Sequence, residues 1–209
     1  MGIGNAKAIA VLGDSISNGY YDEEGLGWIS RLSVLLNKND PNGYFIRNHA
    51  VSGDRIFDVK YRLFGSVERN VDALIIAVGA NDTYIFGDRD DHPVLGMDLR
   101  LLLWDDVLRF AKGLTSNIFV FGILPVDELK VPARFMDDGR GKFFRNDHIV
   151  EYNKAIKKIC TQYDIKHINF HEMFLEAGHE ALLADDVHPN AKGHELLAQW
   201  AYEELKDKI

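Results

Sequence analysis

Ala73-Leu74-Ile75-Ile76-Ala77-Val78, closed by Gly79, is an apolar run with no polar residue on either face of its pleat. A strand that shows one face to water alternates apolar and polar residues. A strand apolar on both faces belongs at the centre of a parallel sheet covered by helices. Working outward, Lys7 to Leu12 is a second short β-prone run, ended by Gly13-Asp14-Ser15, and Tyr44 to Ala50 is a weaker one ended by Ser52-Gly53-Asp54. Asn117 to Phe121 and Ile165 to Phe170 supply two more. Between them, Trp28 to Leu36, Ile56 to Phe64, Asp98 to Lys112, Ile149 to Tyr163 and Asn190 to Leu205 carry apolar residues at helical spacing. Strand and helix alternate, which predicts an α/β fold with right-handed crossovers and helices on both faces of the sheet.

The chain has 209 residues, 46% hydrophobic and 27% charged. That length predicts a single domain over 1–209, large enough to bury a sizeable core. A formal net charge of -8 and a pI near 5.4 exclude a nucleic-acid partner, which would need concentrated Lys and Arg. The longest apolar run, Ala73 to Ala80, is far shorter than the roughly 20 residues a membrane helix requires, so no membrane span is expected. No basic start followed by an apolar stretch marks a secretory signal, and Ala6 stands where a myristoylation motif wants Ser or Thr. Cys160 is the only cysteine, which excludes an intramolecular disulfide and points to the cytoplasm.

Ligands of open α/β sheets sit beyond the carboxyl ends of the strands, so the segments just after the strands carry the functional reading. They hold Gly13-Asp14-Ser15, Ser52-Gly53-Asp54 and Gly79-Ala80-Asn81-Asp82, and Asp185-Asp186-Val187-His188-Pro189 precedes the last helix. A serine hydroxyl is a weak nucleophile until a base takes its proton, and a histidine oriented by a carboxylate is the usual base. Ser15, His188 and Asp185 supply that trio. Acyl transfer also needs donors aimed at the oxyanion that develops; the backbone N–H of Gly53, the amide of Asn81 and the N–H of Ser15 itself can provide them. Asp14 and Asp54 read as loop braces accepting backbone N–H bonds, without a catalytic part.

Gly-Asp-Ser-Ile-Ser-Asn-Gly-Tyr from Gly13, Asn48 to Asp54, Gly79-Ala80-Asn81-Asp82 and Asp185-x-x-His188-Pro189 together resemble the successive blocks of the SGNH (GDSL-type) hydrolases. They stand in the same order and span nearly the whole chain. Asp186 and Ala50 replace frequent glycines of that pattern. The resemblance implies a three-layer, flavodoxin-like sheet of strand order 2-1-3-4-5, no metal or other cofactor, and ester, thioester or acetyl-ester substrates. It implies Ser15 as nucleophile, His188 as general base, Asp185 as its orienter, and Gly53 and Asn81 as oxyanion donors. The three-residue offset of Asp185 from His188 favours it over Asp186. The expected activity is hydrolysis of a small-molecule carboxylic ester; a non-catalytic binding module on the same fold is the alternative.

Other motifs fall away. His171 and His179 each precede Glu, but leucine occupies the second histidine position of a His-Glu-x-x-His zinc motif in both. Gly25-Leu26-Gly27 would need its third glycine at Ser30 to cradle a dinucleotide. Cys160, Trp28 and Trp104 read as core. Trp200 and Tyr202, on the last helix, are a candidate surface for homo-oligomer formation. Substrate choice is expected from the loops Tyr84 to Met97 and Pro125 to Asn146, the second with Phe135, Phe143 and Phe144 as candidate acyl-groove residues. Its five basic and four acidic side chains between Val126 and Asn146 leave no anionic head-group signal.

Overall fold

A computed structural model describes residues 6–40, 43–68, 70–87, 91–130 and 141–209. In chain order the elements are β1 (Lys7–Gly13), α1 (Ser15–Asn18), α2 (Gly27–Asn39), β2 (Tyr44–Asn48), α3 (Ile56–Ser66), β3 (Ala73–Ala77), α4 (Ala80–Thr83) and β4 (Ile85–Gly87). There follow α5 (Met97–Ala111), β5 (Ile118–Phe121), β6 (Gly141–Phe143), α6 (Asn146–Gln162), β7 (Lys166–Ile168), α7 (Phe170–Glu176), a 3-10 turn at His179–Leu182 and α8 (Ala191–Leu205). Five strands form one sheet in the order β2-β1-β3-β5-β7, every pairing parallel. The five strands expected from the sequence thus lie in the succession 2-1-3-4-5, and the labels shift because β4 and β6 form a separate antiparallel ribbon.

Alternation along the central strands sorts the core into two layers. Ala10 and Leu12 of β1, Leu74 and Ile76 of β3 and Val120 of β5 face α3, α5 and α6, where Ile56, Leu63, Trp104, Val107, Ile149 and Ile156 are buried against them. Ile9, Val11, Ile75, Phe119 and Phe121 face the opposite way, onto α2 and α8. Those two helices bury the same spacing: Trp28, Ile29, Leu32 and Leu36 in α2, and Leu197, Ala198, Ala201 and Leu205 in α8. One stripe of each of these two helices is buried against the sheet, the pattern a helix on the outside of a sheet must have. Ala73 to Ile76 are 0% exposed, as a strand covered on both faces requires.

Where structure and sequence reading differ, the cause is local. The last strand ends at Ile168, because the Asn169 side chain accepts the Glu172 N–H and starts α7 at Phe170. The excursion Pro125 to Asn146, read as irregular, contains β6, paired with β4 through Ile85 and Phe143. Phe135 lies outside the described residues. Asn190 caps α8, accepting the Gly193 N–H. Trp28 and Trp104 are core, and the Trp104 indole donates to the Tyr152 hydroxyl at 2.8 Å. Trp200 packs on Phe170 and Phe174 of its own chain, with ring centroids 6.3 Å away in both cases. Among the described residues no helix is long and apolar enough to cross a membrane.

Candidate active site

β1 delivers its last residue, Gly13, to the carboxyl edge of the sheet, and the chain turns at once into α1. The Asp14 carboxylate accepts the Ile16 N–H at 3.0 Å, which caps that one-turn helix and fixes Ser15 at its first position. The loop after β2 is stitched to the same turn. Val51 N–H donates to the Gly13 carbonyl at 3.0 Å, and the Asn48 amide donates to the Ser17 carbonyl at 2.8 Å. The Asn18 amide reaches the Ser52 hydroxyl at 3.3 Å. Gly53 follows with φ of +90° in open space, so backbone conformation and not crowding demands glycine there.

From the other end of the chain comes a tight turn ahead of α8, in which Ala184 N–H donates to the His188 carbonyl at 2.8 Å. Asp185 organises it. Its Oδ1 accepts the N–H groups of Val187 at 2.8 Å and His188 at 2.6 Å, while its Oδ2 lies 2.8 Å from His188 Nδ1. Burial would raise the Asp185 carboxyl, but the His188 ring and those two backbone donors outweigh it and hold the group at about 2. An ionised carboxylate only accepts, so Nδ1 of His188 must carry a proton, and Nε2 of the neutral ring is then an acceptor. That Nε2 stands 2.9 Å from Ser15 Oγ. Serine, imidazole and carboxylate form one continuous hydrogen-bonded relay, with His188 only 8% exposed.

Facing the relay, α4 presents Asn81, whose amide nitrogen donates to the Asp54 carbonyl at 3.1 Å and so lies beside the Gly53 turn. A small cavity of about 30 Å³ opens between Ser15, Asn81, Lys142, Phe144, Val187 and His188. All five candidate residues therefore gather at the carboxyl end of β1, β2 and β3. Asp186 points its backbone elsewhere, its carbonyl accepting the Asp127 N–H at 2.9 Å. Asp14 braces its loop as expected; burial pushes its carboxyl up to about 6 against the pull of Ile16 N–H and His188. Asp54 does not brace through backbone N–H groups. Its carboxylate pairs with Arg62 of α3, whose other arm donates to the His49 carbonyl at 2.7 Å.

Four neighbours of the site carry no role in the sequence reading. Tyr20 and Tyr21 stand against His188, each with its ring centroid 5.2 Å from the imidazole. Lys142 of β6 reaches the cavity with its ammonium 4.4 Å from the Tyr84 ring centroid and 5.2 Å from that of Phe144. Asp82, 0% exposed, accepts the Ile56 N–H at the head of α3. Tyr20 closes the block that begins at Gly13 and Tyr21 follows it, a signal that was available; Lys142 had none, because only the ribbon pairing brings it here.

A parallel α/β sheet with this relay at its carboxyl edge is the arrangement of a serine hydrolase. The chain belongs to the GDSL-like lipase/acylhydrolase family, whose sequence model matches residues 11–196. It is similar to an acetylxylan esterase from Geobacillus stearothermophilus, at 22% identity over 98% of this chain and 96% of that one, with a TM-score of 0.73. A lipase/acylhydrolase from Enterococcus faecalis matches 97% of this chain and 96% of its own at 19% identity, with a TM-score of 0.78. A multidomain esterase of Ruminococcus flavefaciens is 25% identical over 95% of this chain, which spans 28% of that protein's length.

Proposed function

We propose that residues 1–209 act as one catalytic unit that hydrolyses short-chain carboxylic esters, acetyl esters foremost, through an acyl-enzyme on Ser15. The observation that carries this reading is the unbroken relay from Ser15 Oγ through His188 to Asp185. Ser15 Oγ attacks the ester carbonyl carbon as its proton passes to His188 Nε2. The carbonyl π pair moves onto oxygen, where the N–H groups of Gly53 and Ser15 and the Asn81 amide are the donors proposed to receive the charge. Collapse breaks the carbon–oxygen bond to the alcohol, which leaves with the proton from His188. Water then attacks the acyl-enzyme, His188 takes its proton, and a second collapse returns that proton to Ser15 as the acid departs.

The short acyl group is supported by the small cavity beside Ser15, about 30 Å³, whose lining includes Val187 and the buried Phe144. The structural likeness to an acetylxylan esterase points the same way. A cytoplasmic setting is proposed from Cys160, a lone buried thiol whose burial pushes it up to about 12 and leaves it inert. The test is a series of p-nitrophenyl esters of rising acyl length, with Ser15→Ala as control. The rate should fall steeply from acetate to octanoate and vanish in the variant. Full activity in Ser15→Ala would refute the reading.

A further inference from the structure

We propose that Tyr152 of α6 positions the oxyanion donors, acting through Asp82, and that the Trp104 indole of α5 sets the direction of its hydroxyl; this rests on the esterase reading above. Tyr152 is 0% exposed and does not line the cavity beside Ser15, so its part is positioning and not catalysis. Its ring lies under the turn that follows β3, where a Cβ built on Gly79 would meet Tyr152 Cε1 at 3.3 Å. The Arg100 guanidinium covers the ring, 4.5 Å from its centroid. The next residue, Asn153, locks the register of α6 against the segment after β5. Its amide donates to the Ile123 carbonyl at 2.9 Å and its oxygen accepts the Ile123 N–H at 2.9 Å.

The hydrogen bonds run in one direction. An indole N–H only donates, and Trp104 Nε1 stands 2.8 Å from the Tyr152 oxygen, so that oxygen accepts and its own hydrogen must go elsewhere. A buried hydroxyl left without an acceptor is costly. Asp82, also 0% exposed, is the acceptor bonded to it. A carboxyl keeps an accepting oxygen in either protonation state. Burial, and after it the Asp82 charge, hold the phenol well above its ordinary value, so Tyr152 retains its proton and remains a donor.

Asp82 passes that order to the site. Its carboxyl receives the Ile56 N–H through both oxygens at 3.2 Å, in the stretch that follows Gly53, while Asn81 beside it donates to the Asp54 carbonyl at 3.1 Å. Both residues stand on α4, a helix of four residues, and one turn has too few internal bonds to hold its own place. Without the Tyr152 hydroxyl, Asp82 can swing about its side-chain bonds and the grip on Ile56 loosens. The Asn81 amide and the Gly53 N–H then lose their common alignment, which an oxyanion site needs to within about 0.5 Å.

The test uses Tyr152→Phe, which removes one oxygen and keeps the ring against Gly79 and Arg100, together with Trp104→Phe and the double variant. Two quantities are read: kcat/KM on p-nitrophenyl acetate, and the inhibition constant of methylboronic acid, whose tetrahedral adduct on a serine places an oxygen where the oxyanion develops. In Tyr152→Phe, kcat/KM should fall about tenfold, less than the roughly 10²–10³-fold that losing a donor outright costs, and the inhibition constant should rise by the same factor. Trp104→Phe should move both in the same direction. The double variant should be no worse than Tyr152→Phe alone, because the indole acts only through the hydroxyl. A Tyr152→Phe protein that melts lower yet keeps both wild-type values would make the phenol a packing residue and overturn the proposal. Losses that multiply in the double variant would overturn the route through the hydroxyl. Should Tyr152→Phe not fold, Trp104→Phe decides by the same two readings. A wild type inactive on the ester would bring down the esterase reading itself, a failure visible before any substitution is made.

Discussion

The Asp82 carboxylate accepts the backbone N–H of Ile56 through both oxygens, each at 3.2 Å, so the first turn of α3 is capped by a side chain twenty-six positions further along. Its neighbour Asn81 holds the Asp54 carbonyl two residues before that N–H. Two consecutive residues of α4 thus grip the loop that carries Gly53, and the segments that follow β2 and β3 are kept in register. Burial pushes the Asp82 carboxyl up to about 7, in spite of the Ile56 N–H and the Arg100 guanidinium, which favour the charged form.

That shift predicts a stability profile. Between the ordinary carboxylate value of 3.8 and about 7, folded Asp82 keeps a proton that the unfolded chain has lost. Its contribution is fully present below that range and is lost as pH rises through about 7. Asp14, raised to about 6, has the same sign. The melting temperature should therefore fall between pH 5 and 8, and Asp82→Asn, which keeps an acceptor for Ile56 without the charge, should flatten the fall and melt higher at pH 8. Calorimetry at several pH values checks this; an unchanged slope would contradict it.

Asp185 and Asp22 act in the opposite direction. Each is held at about 2, Asp22 by Arg31 and the N–H groups of Gly27 and Glu24 against the effect of burial. Their contributions are present above pH 4 and lost as pH falls toward 2. Acid unfolding monitored by near-ultraviolet circular dichroism should shift to higher pH in Asp22→Asn. A midpoint that stayed in place would show that the Asp22 cluster adds nothing.

Asp185→Asn should cost about 10²–10⁴-fold in kcat with little change in KM. The amide oxygen can still accept the Val187 and His188 N–H groups, so the turn survives, but the amide nitrogen is a donor facing Nδ1. The ring then adopts the tautomer with its proton on Nε2, which can no longer take the Ser15 proton. Steady-state kinetics with an intact circular dichroism spectrum is the check, and wild-type kcat in the variant would remove Asp185 from the relay.

Asn81→Ala should lower kcat by about 10²–10³-fold, the usual effect of removing one oxyanion donor. Asn81 also holds Asp54, so Gly53→Ala supplies an independent probe: at φ of +90° an added Cβ meets nothing but strains the backbone by about 1–2 kcal/mol. Both variants should lose kcat more than they raise KM. A pure KM effect would show ground-state binding and not oxyanion stabilisation.

The sheet was legible because Ala73 to Val78 is apolar on both faces and because the first three strands each run into a turn that contains a glycine, Gly13, Gly53 and Gly79. The ribbon was not, since β4 and β6 have three residues each, too few for alternation to register, and they meet only through tertiary pairing. The same limit hid most of the site's surroundings. Ser15, Gly53, Asn81, Asp185 and His188 could be singled out because each lies just past a strand or just before a helix. Lys142 enters by the ribbon, and Asp82 acts across twenty-six residues on α3. Asp54 was misjudged because its partner, Arg62, is a side chain two turns along α3 and not a neighbouring N–H.

Turnover by the proposed route requires that Ser15 become acylated. Rapid quenching of the enzyme with an acetyl ester in the steady state, followed by digestion and peptide mass spectrometry, tests it directly. One acetyl group is expected on the peptide that contains Ser15, accumulating further in a variant slowed in deacylation and absent from Ser15→Ala. Continued turnover with no acetyl on that peptide, or with the label on another residue, would contradict it.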